Sequence, residues 1–133
     1  MFDRLGAIIL LVSDMKRSIK FYNNVLGMEL KQKTRDWVEF SKQGTVLALH
    51  PSKKKTRIAK NNSMLVGFNI GDLESLCIIL RKKKVKFYKK LTKEAFGKHA
   101  IIEDPDGHLI SLAEMNSEEE FLQIPYYHGF APV

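Results

Sequence analysis

Two histidines and a glutamate are the residues of this chain best suited to acid–base chemistry. His50 ends the segment VLALH, and an imidazole that titrates near neutral pH suits a general base or a contact to an anion. His99 and Glu103 lie four residues apart in an extended segment, so they share one strand face and suit a split acid–base pair. Each has a structural alternative, because His50 can bond to backbone before Pro51 and the face of His99 can be the solvent side. For His50 we favour the structural role, since the sequence places no carboxylate beside it.

Other chemically distinctive side chains have plainer interpretations. Trp37 lies on the strand face of Glu39 and suits stacking on a planar ligand, but a place in the core or in a dimer interface fits equally well. Cys77 falls on the apolar face of a predicted helix, so we expect a small buried hydrophobic residue. His108 follows a predicted turn, which predicts a solvent-exposed imidazole.

Composition indicates one ordinary soluble domain. The chain has 133 residues, of which 44% are hydrophobic and 28% charged, and this suffices for a packed core. Its single cysteine allows no internal disulfide and favours a reducing compartment, so we expect a cytoplasmic protein. No apolar run reaches the length of a membrane span, and the first ten residues lack a signal-peptide cleavage pattern.

The formal net charge of +7 is concentrated in two basic clusters. Charge alone gives non-specific attraction to nucleic acid, and these lysines have little aromatic interleaving and no helix-turn-helix or RNA-binding signature. We therefore expect solvated loops and helix ends, and no nucleic-acid partner. The first cluster comprises Lys53, Lys54, Lys55, Arg57 and Lys60, and the second Arg81, Lys82, Lys83, Lys84, Lys86, Lys89, Lys90 and Lys93.

The first half of the chain predicts a strand, a helix and three further strands. The apolar run from Leu5 to Val12 is typical of a buried strand. Asp14, or Ser13 before it, can cap the helix that follows, and Gly27 ends that helix because glycine accepts a positive φ cheaply. The further strands are predicted at 28–34, 36–42 and 45–50.

The same pattern returns in the second half. An apolar strand at 63–70 precedes Asp72, which is a predicted helix cap, and Leu73, Leu76, Cys77 and Leu80 share one helix face. The turn sequence Asp-Pro-Asp-Gly at 104–107 separates the last two strands. The strands of this half are predicted at 85–91, 98–103 and 109–114.

A repeat of about half the chain predicts a duplicated βαβββ unit. The expected fold class is α+β, with two tandem βαβββ modules forming curved mixed sheets around a cavity and helices outside. One helix covers only one face of its sheet, so the other faces must meet or close around a small ligand. We expect a single domain at 1–115, with modules at about 4–50 and 63–115 and a linker at 51–62. The extension 116–133 is expected to pack on the body or on a second subunit.

Four segments, in this order and at this spacing, resemble the vicinal oxygen chelate superfamily of glyoxalases, bleomycin-resistance proteins and extradiol dioxygenases. The segments are LLVSDMKRSIKFYNNVLGMEL, WVEFSKQGTVLALHP, GFNIGDLESL and EDPDGHLISLAE, and the resemblance covers roughly residues 4 to 115. It implies the paired-module fold, and by analogy a homodimer.

The resemblance also implies a position for a metal ligand on each of four strands. In this chain those positions hold Ala7, Ala48, Leu65 and Ser111. Alanine and leucine have no donor atom, and a neutral serine hydroxyl is a poor ligand for zinc or nickel. Glu114 lies three residues past Ser111, on the opposite strand face, and is not expected to replace the missing carboxylate. We therefore favour no metal and no cofactor, as in the bleomycin-resistance type.

Two functions follow from the resemblance. The favoured one is a binding protein that takes a small, partly apolar molecule in the cavity between the sheets. The alternative is a metal-dependent lyase, isomerase or dioxygenase with non-standard ligands, of which His50 is the first candidate and His99 or Glu103 the next. The predicted ligand-binding residues are Ala7, Ile9, Trp37, Ala48, His50, Leu65, Gly67, Asn69 and Ser111.

Overall fold

Alternating apolar residues in each half of the chain form a four-stranded sheet with a helix beside it. The structure is a computed structural model, and it describes residues 1–41, 44–53 and 64–116. Contacts divide the chain into unit 1, formed by Met1–Asn61 and Pro105–His108, and unit 2, formed by Asn62–Asp104 and Leu109–Val133. Most of the predicted linker 51–62, and all of the predicted extension 116–133 except its first residue, lie outside the described residues.

The sheet of unit 1 has the strand order β1-β4-β3-β2. Strands β1 and β4 pair in parallel, with Ala7 opposite Val46, and the other two pairs are antiparallel. Strand β1 is therefore an edge strand of this sheet. The strands are β1 (Ala7–Val12), β2 (Leu30–Lys33), β3 (Val38–Phe40) and β4 (Val46–Pro51).

The helix of unit 1 begins where the sequence predicts. The Asp14 side chain accepts a hydrogen bond from the backbone N–H of Arg17, so it is the N-cap of α1 (Met15–Ile19). The helix continues as a π-helical segment (Lys20–Val25), and Gly27 then adopts the positive φ of 72° that ends it.

The core of unit 1 lies between this helix and one face of the sheet. Tyr22 is fully buried, and its ring packs 6.1 Å from that of Phe40. Because strand side chains alternate, the helix-covered face carries the even-numbered residues of β1 and the odd-numbered residues of β4. Its buried members are Leu10, Val12, Val38, Phe40, Leu47 and Leu49.

Unit 2 repeats this arrangement with the strand order β5-β8-β7-β6. Strands β5 and β8 pair in parallel, with Gly67 opposite Ser111, and the other two pairs are antiparallel. Asp72 caps α2 (Leu73–Lys82) by accepting a hydrogen bond from the backbone N–H of Ser75. The strands are β5 (Leu65–Asn69), β6 (Lys86–Glu94), β7 (Gly97–Glu103) and β8 (Leu109–Met115).

Helix α2 covers the face of its sheet that carries Ile110, Leu112 and Glu114. The Glu114 carboxylate accepts a hydrogen bond of 2.8 Å from the backbone N–H of Leu73, the first residue of the helix. Cys77 is 2% exposed on the inner side of the helix, as predicted, and burial raises the pKa of its thiol. Glu114 therefore lies on the helix side and Ser111 on the other side, as the alternation predicts.

The predicted α+β fold of two βαβββ modules is confirmed, with two four-stranded mixed sheets. The predicted strand 36–42 is longer than the observed β3, whereas the observed β6 extends past the predicted end at 91. Strand β6 contains two register shifts, and with them it continues to pair with β7 past the apolar residues from which the strand was predicted.

Candidate functional site

The helix-free face of the unit 2 sheet carries three rows of side chains across its four strands. The strand register defines these rows because directly opposed residues share a face. On β5, Leu65, Gly67 and Asn69 are exposed, whereas the β7 residues of the face are buried. The rows are Leu65, Leu109, Glu103 and Lys86; Gly67, Ser111, Ile101 and Lys89; and Asn69, Ala113, His99 and Thr92.

His99 and Ser111 form a hydrogen bond in the middle of this face. The Nε2 atom of His99 lies 2.7 Å from Oγ of Ser111. His99 is 1% exposed, whereas Ser111 is partly exposed and lies beside the exposed Gly67. A β-carbon added to Gly67 would meet no atom of the described residues within 4 Å, so these residues leave the space next to the Ser111 hydroxyl open.

Burial keeps His99 neutral near pH 7. Loss of hydration is the main cause that lowers the pKa of His99, and the Lys89 ammonium group lowers it further. The Glu94 carboxylate acts in the opposite direction, with a smaller effect than these two causes. A neutral imidazole can either donate or accept one hydrogen bond at Nε2.

The charged side chains at the β6 side of this face form ion pairs. Lys89 Nζ lies 3.1 Å from Oε1 of Glu94, and both side chains are less than one-fifth exposed. Lys86 Nζ lies 3.5 Å from Oε2 of Glu103, which is 7% exposed. The predicted catalytic candidate Glu103 is therefore on the same face as His99, and a lysine neutralises its charge.

The helix-free face of unit 1 is more apolar. Strand β1 places Ala7, Ile9 and Leu11 on this face, and Ile9 and Leu11 are 51% and 44% exposed. Opposite Ile9 on β4 lies Ala48, which has no exposed surface. The exposed apolar surface on this face therefore comes from the edge strand β1.

Trp37 and His50 are anchored at the end of this face. Nε1 of Trp37 donates a hydrogen bond of 2.6 Å to the Glu39 carboxylate, and the Trp37 and His50 rings are 6.0 Å apart. Nδ1 of His50 lies 2.8 Å from the Asp36 carbonyl oxygen. A carbonyl oxygen only accepts, so Nδ1 of His50 carries a proton and donates it to this bond. The backbone bond expected for His50 is present, with Asp36 as its partner.

The sequence profile of the Glyoxalase/Bleomycin resistance protein/Dioxygenase superfamily matches residues 4–112. The chain belongs to this superfamily. The match covers both modules, so the resemblance of the four segments is confirmed. The comparison with curated proteins found no match.

Solved structures of the superfamily share its fold. A glyoxalase/dioxygenase from Nostoc punctiforme has a TM-score of 0.74 at 18% identity, covering 87% of this chain and 93% of its own. A glyoxalase/bleomycin resistance protein/dioxygenase from Alicyclobacillus acidocaldarius has a TM-score of 0.70 at 17% identity, with coverages of 89% and 96%. A lactoylglutathione lyase from Agrobacterium tumefaciens has a TM-score of 0.66 at 17% identity, with coverages of 84% and 93%. At these identities the likeness concerns the fold alone.

The four positions at which the resemblance predicts metal ligands carry side chains that do not suit a metal ion. Ala7, Ala48 and Leu65 offer no donor atom, and the Ser111 hydroxyl is hydrogen-bonded to His99. Across the residues that the structure describes, no group of three His, Cys, Asp or Glu side chains is placed to hold a metal ion.

Every predicted ligand-binding residue lies on one of the two helix-free faces. Unit 1 holds Ala7, Ile9, Trp37, Ala48 and His50, and unit 2 holds Leu65, Gly67, Asn69 and Ser111. Their role in binding stays a prediction. The sequence analysis did not predict that His99 and Ser111 are in contact. Their spacing from the turn at 104–107 was the signal that would have placed them on adjacent strands.

The turn at 104–107 does more than reverse the chain. Asp106 is fully buried in unit 1, where its carboxylate accepts hydrogen bonds from the backbone N–H and the hydroxyl of Ser13. His108, predicted to be solvent-exposed, is partly exposed, and its Nε2 lies 2.8 Å from the Leu11 carbonyl oxygen. This partner on β1 is not predictable from the local sequence.

In the part of the chain that the structure describes, no helix is both long enough and apolar enough to cross a membrane.

Proposed function

We propose that this protein binds a small, partly apolar organic molecule on the helix-free faces of its sheets and does so without the metal site of the superfamily enzymes. The observation that carries the proposal is the content of the four metal positions. Three of them hold side chains without a donor atom, and the fourth holds a hydroxyl that is engaged with His99. A divalent ion would have no ligand set at these positions.

Exposed apolar side chains on these faces support a ligand with an apolar part. Ile9, Leu11 and Leu65 are each more than 40% exposed on edge strands. Burying such side chains against a ligand removes apolar surface from water, at about 25 cal/mol per Å². On the unit 1 face, Trp37 and His50 add an aromatic contact beside Leu11, which pairs with His50.

Binding can be tested with Nile red, an uncharged fluorescent dye, and with two matched variants. Ile9 on the helix-free face of unit 1 and Ile78 on helix α2 are similarly exposed, at 51% and 55%. We expect Ile9→Ser to weaken dye binding about tenfold, from the loss of roughly 1.5 kcal/mol of apolar contact, and Ile78→Ser to leave it unchanged. Equal effects of the two changes would contradict a site on this face.

The only tryptophan of the chain gives a second signal. Trp37 is the sole Trp, so quenching of its fluorescence reports a ligand at the end of the unit 1 face. We expect the dye to quench Trp37 at the concentrations at which its own emission rises. A rise in dye emission without quenching of Trp37 fluorescence would show that the dye binds away from Trp37.

Metal content tests the rival function. Mass-spectrometric metal analysis of tag-free protein is compared before and after incubation with nickel, zinc, manganese and iron(II). A stoichiometric metal that is lost in His50→Ala would overturn the proposal and favour a metal-dependent lyase, isomerase or dioxygenase. The expected result is no retained metal in either protein. A homodimer and a cytoplasmic location remain predictions.

A further inference from the structure

We propose that Ser111 and His99 form the polar anchor of the helix-free face of unit 2. The ligand of this face is an uncharged molecule with a hydroxyl, carbonyl or amide group beside its apolar part. This inference rests on the proposed function, because it names the class of molecule that the site binds. It follows from three features of unit 2: the bond between the two side chains, the open space beside it, and the pairing of the nearby charges.

The bond leaves Ser111 with capacity for one more polar partner. If the serine hydroxyl donates to Nε2 of His99, its oxygen still accepts a hydrogen bond from a ligand N–H or O–H. If Nε2–H donates instead, the hydroxyl hydrogen is available for a ligand carbonyl. Either arrangement suits an uncharged polar group, and His99 fixes the position of the Ser111 oxygen.

The structure leaves room for a ligand beside this oxygen. Gly67 lies directly opposite Ser111 on the neighbouring strand β5, and a β-carbon there would meet nothing within 4 Å in the part of the chain that the structure describes. Leu65, in the next row of the same strand, is 41% exposed. A ligand above Gly67 would therefore touch the Ser111 hydroxyl with a polar group and Leu65 with its apolar part.

The charges near the anchor compensate one another. Lys89, which follows Ile101 in the row of Ser111, pairs with Glu94 at 3.1 Å. Lys86 pairs with Glu103 at 3.5 Å in the next row. A charged ligand would lose hydration at this face and gain no uncompensated partner among these residues, whereas an uncharged one avoids that cost.

The anchor offers an uncharged hydrogen-bonding group at a position where the resemblance predicts a carboxylate. The resemblance to superfamily enzymes predicts a metal-binding carboxylate at the position of Ser111, and His99 comes from the adjacent strand β7. A serine paired with a buried neutral histidine replaces a charged ligand with an uncharged hydrogen-bonding group. The change in this strand therefore concerns what the site recognises.

The test uses the full chain, three small probes and nuclear magnetic resonance. Benzamide, benzyl alcohol and benzoate share an aromatic ring and differ in the polar group and its charge. Each is titrated into isotope-labelled protein, and the backbone amide signals of Gly67, Ser111 and Ile9 are followed. We expect the two uncharged probes to shift Gly67 and Ser111, and benzoate to bind at least about threefold more weakly.

Three variants separate the contribution of the Ser111 hydrogen bond to benzamide binding from that of the open space beside it. Ser111→Ala should weaken benzamide binding about three- to tenfold, the effect of one hydrogen bond. Gly67→Val should abolish it by filling the open space, and it should not unfold the protein because a branched side chain suits a strand with no close neighbour. Ile78→Ala, on the exposed side of helix α2 and away from this face, is the control and should change benzamide binding less than twofold.

Each outcome decides between the anchor and the wider proposal. Equal binding of benzamide and benzoate, or an unchanged affinity in Ser111→Ala, would overturn the anchor while the binding function stood. No shift of any probe at Gly67, Ser111 or Ile9, together with no dye binding, would overturn both. Retained benzamide binding in a folded Gly67→Val protein would also refute the site, because the space beside Ser111 would then be irrelevant.

Discussion

Replacement of Asp106 tests whether the Asp-Pro-Asp-Gly turn stabilises the fold through its buried carboxylate. Asp106 is fully buried, and it accepts hydrogen bonds of 3.0 Å and 2.6 Å from the backbone N–H and the hydroxyl of Ser13. Arg17 lies 3.8 Å from the same carboxylate and donates a bond of 2.9 Å to the Ser13 hydroxyl. The Asp106→Ala change removes both acceptors and leaves the two Ser13 donors and Arg17 behind.

The expected loss follows from these contacts. A hydrogen bond to a charged group contributes about 1.5–3 kcal/mol, so two of them set an upper range of roughly 3–6 kcal/mol. Release of the carboxylate from burial offsets part of this loss, and we expect about 3 kcal/mol in the free energy of unfolding. Domains of this size are stable by only about 5–15 kcal/mol, so the effect is a large fraction of the total.

Urea unfolding, followed by circular dichroism and by Trp37 fluorescence, measures this loss. Ser13→Ala removes one of the bonds and should cost about 1–2 kcal/mol, and Arg17→Ala, at a side chain that is 48% exposed, less than about 1 kcal/mol. The double variant of Asp106 and Ser13 should cost less than the sum of the two single changes. An Asp106→Ala protein within about 1 kcal/mol of the parent would refute a stabilising role for the buried carboxylate.

The remaining predictions concern Gly97, Ser18 and His99. Gly97→Ala should cost more than about 2 kcal/mol in urea unfolding, because φ is 141° and its new β-carbon would clash with the Glu114 carbonyl oxygen. Gly67→Ala, whose new β-carbon would have no described atom within 4 Å, is its control, and similar losses for both would contradict this explanation. Ser18→Ala should leave stability unchanged or raise it by up to about 1 kcal/mol, since the Ser18 hydroxyl is buried and has no hydrogen-bond partner among the described residues; a loss above 1 kcal/mol would reveal such a partner. The pKa of His99 is lowered on folding from its ordinary value of 6.5, so its contribution to stability is present above that pH and lost as the pH falls below it. His99→Gln should flatten the pH dependence of unfolding in this window, and an unchanged slope would assign the dependence to other groups.

Local signals in the sequence determined most of the fold. Asp14 caps the helix of the first module and Asp72 caps that of the second. Gly27 and Gly107 adopt the positive φ that their turns require. These outcomes are predictable because capping and glycine turns depend on a few neighbouring residues. The apolar alternation likewise placed Ser111 and Glu114 on opposite faces, since the two-residue period of a strand is a property of its backbone.

The strand register decided which of the candidate residues meet. His99 and Ser111 are twelve residues apart, and only the pairing of β7 with β8 brings His99 Nε2 to 2.7 Å from the Ser111 hydroxyl. A shift of the register by one residue would move one side chain to the other face of the sheet. The sequence analysis therefore predicted His99 and Ser111 as separate candidates and did not predict the hydrogen bond between them.

Long-range packing decided the role of the turn. Asp106 and Ser13 are 93 residues apart, and nothing near either residue in the sequence predicts the bonds between them. The partner of His108, the Leu11 carbonyl oxygen on β1, is likewise distant in sequence and was not predicted. Residue type and spacing thus determine caps, turns and strand faces, whereas burial and charge pairing depend on partners that only the folded chain brings together.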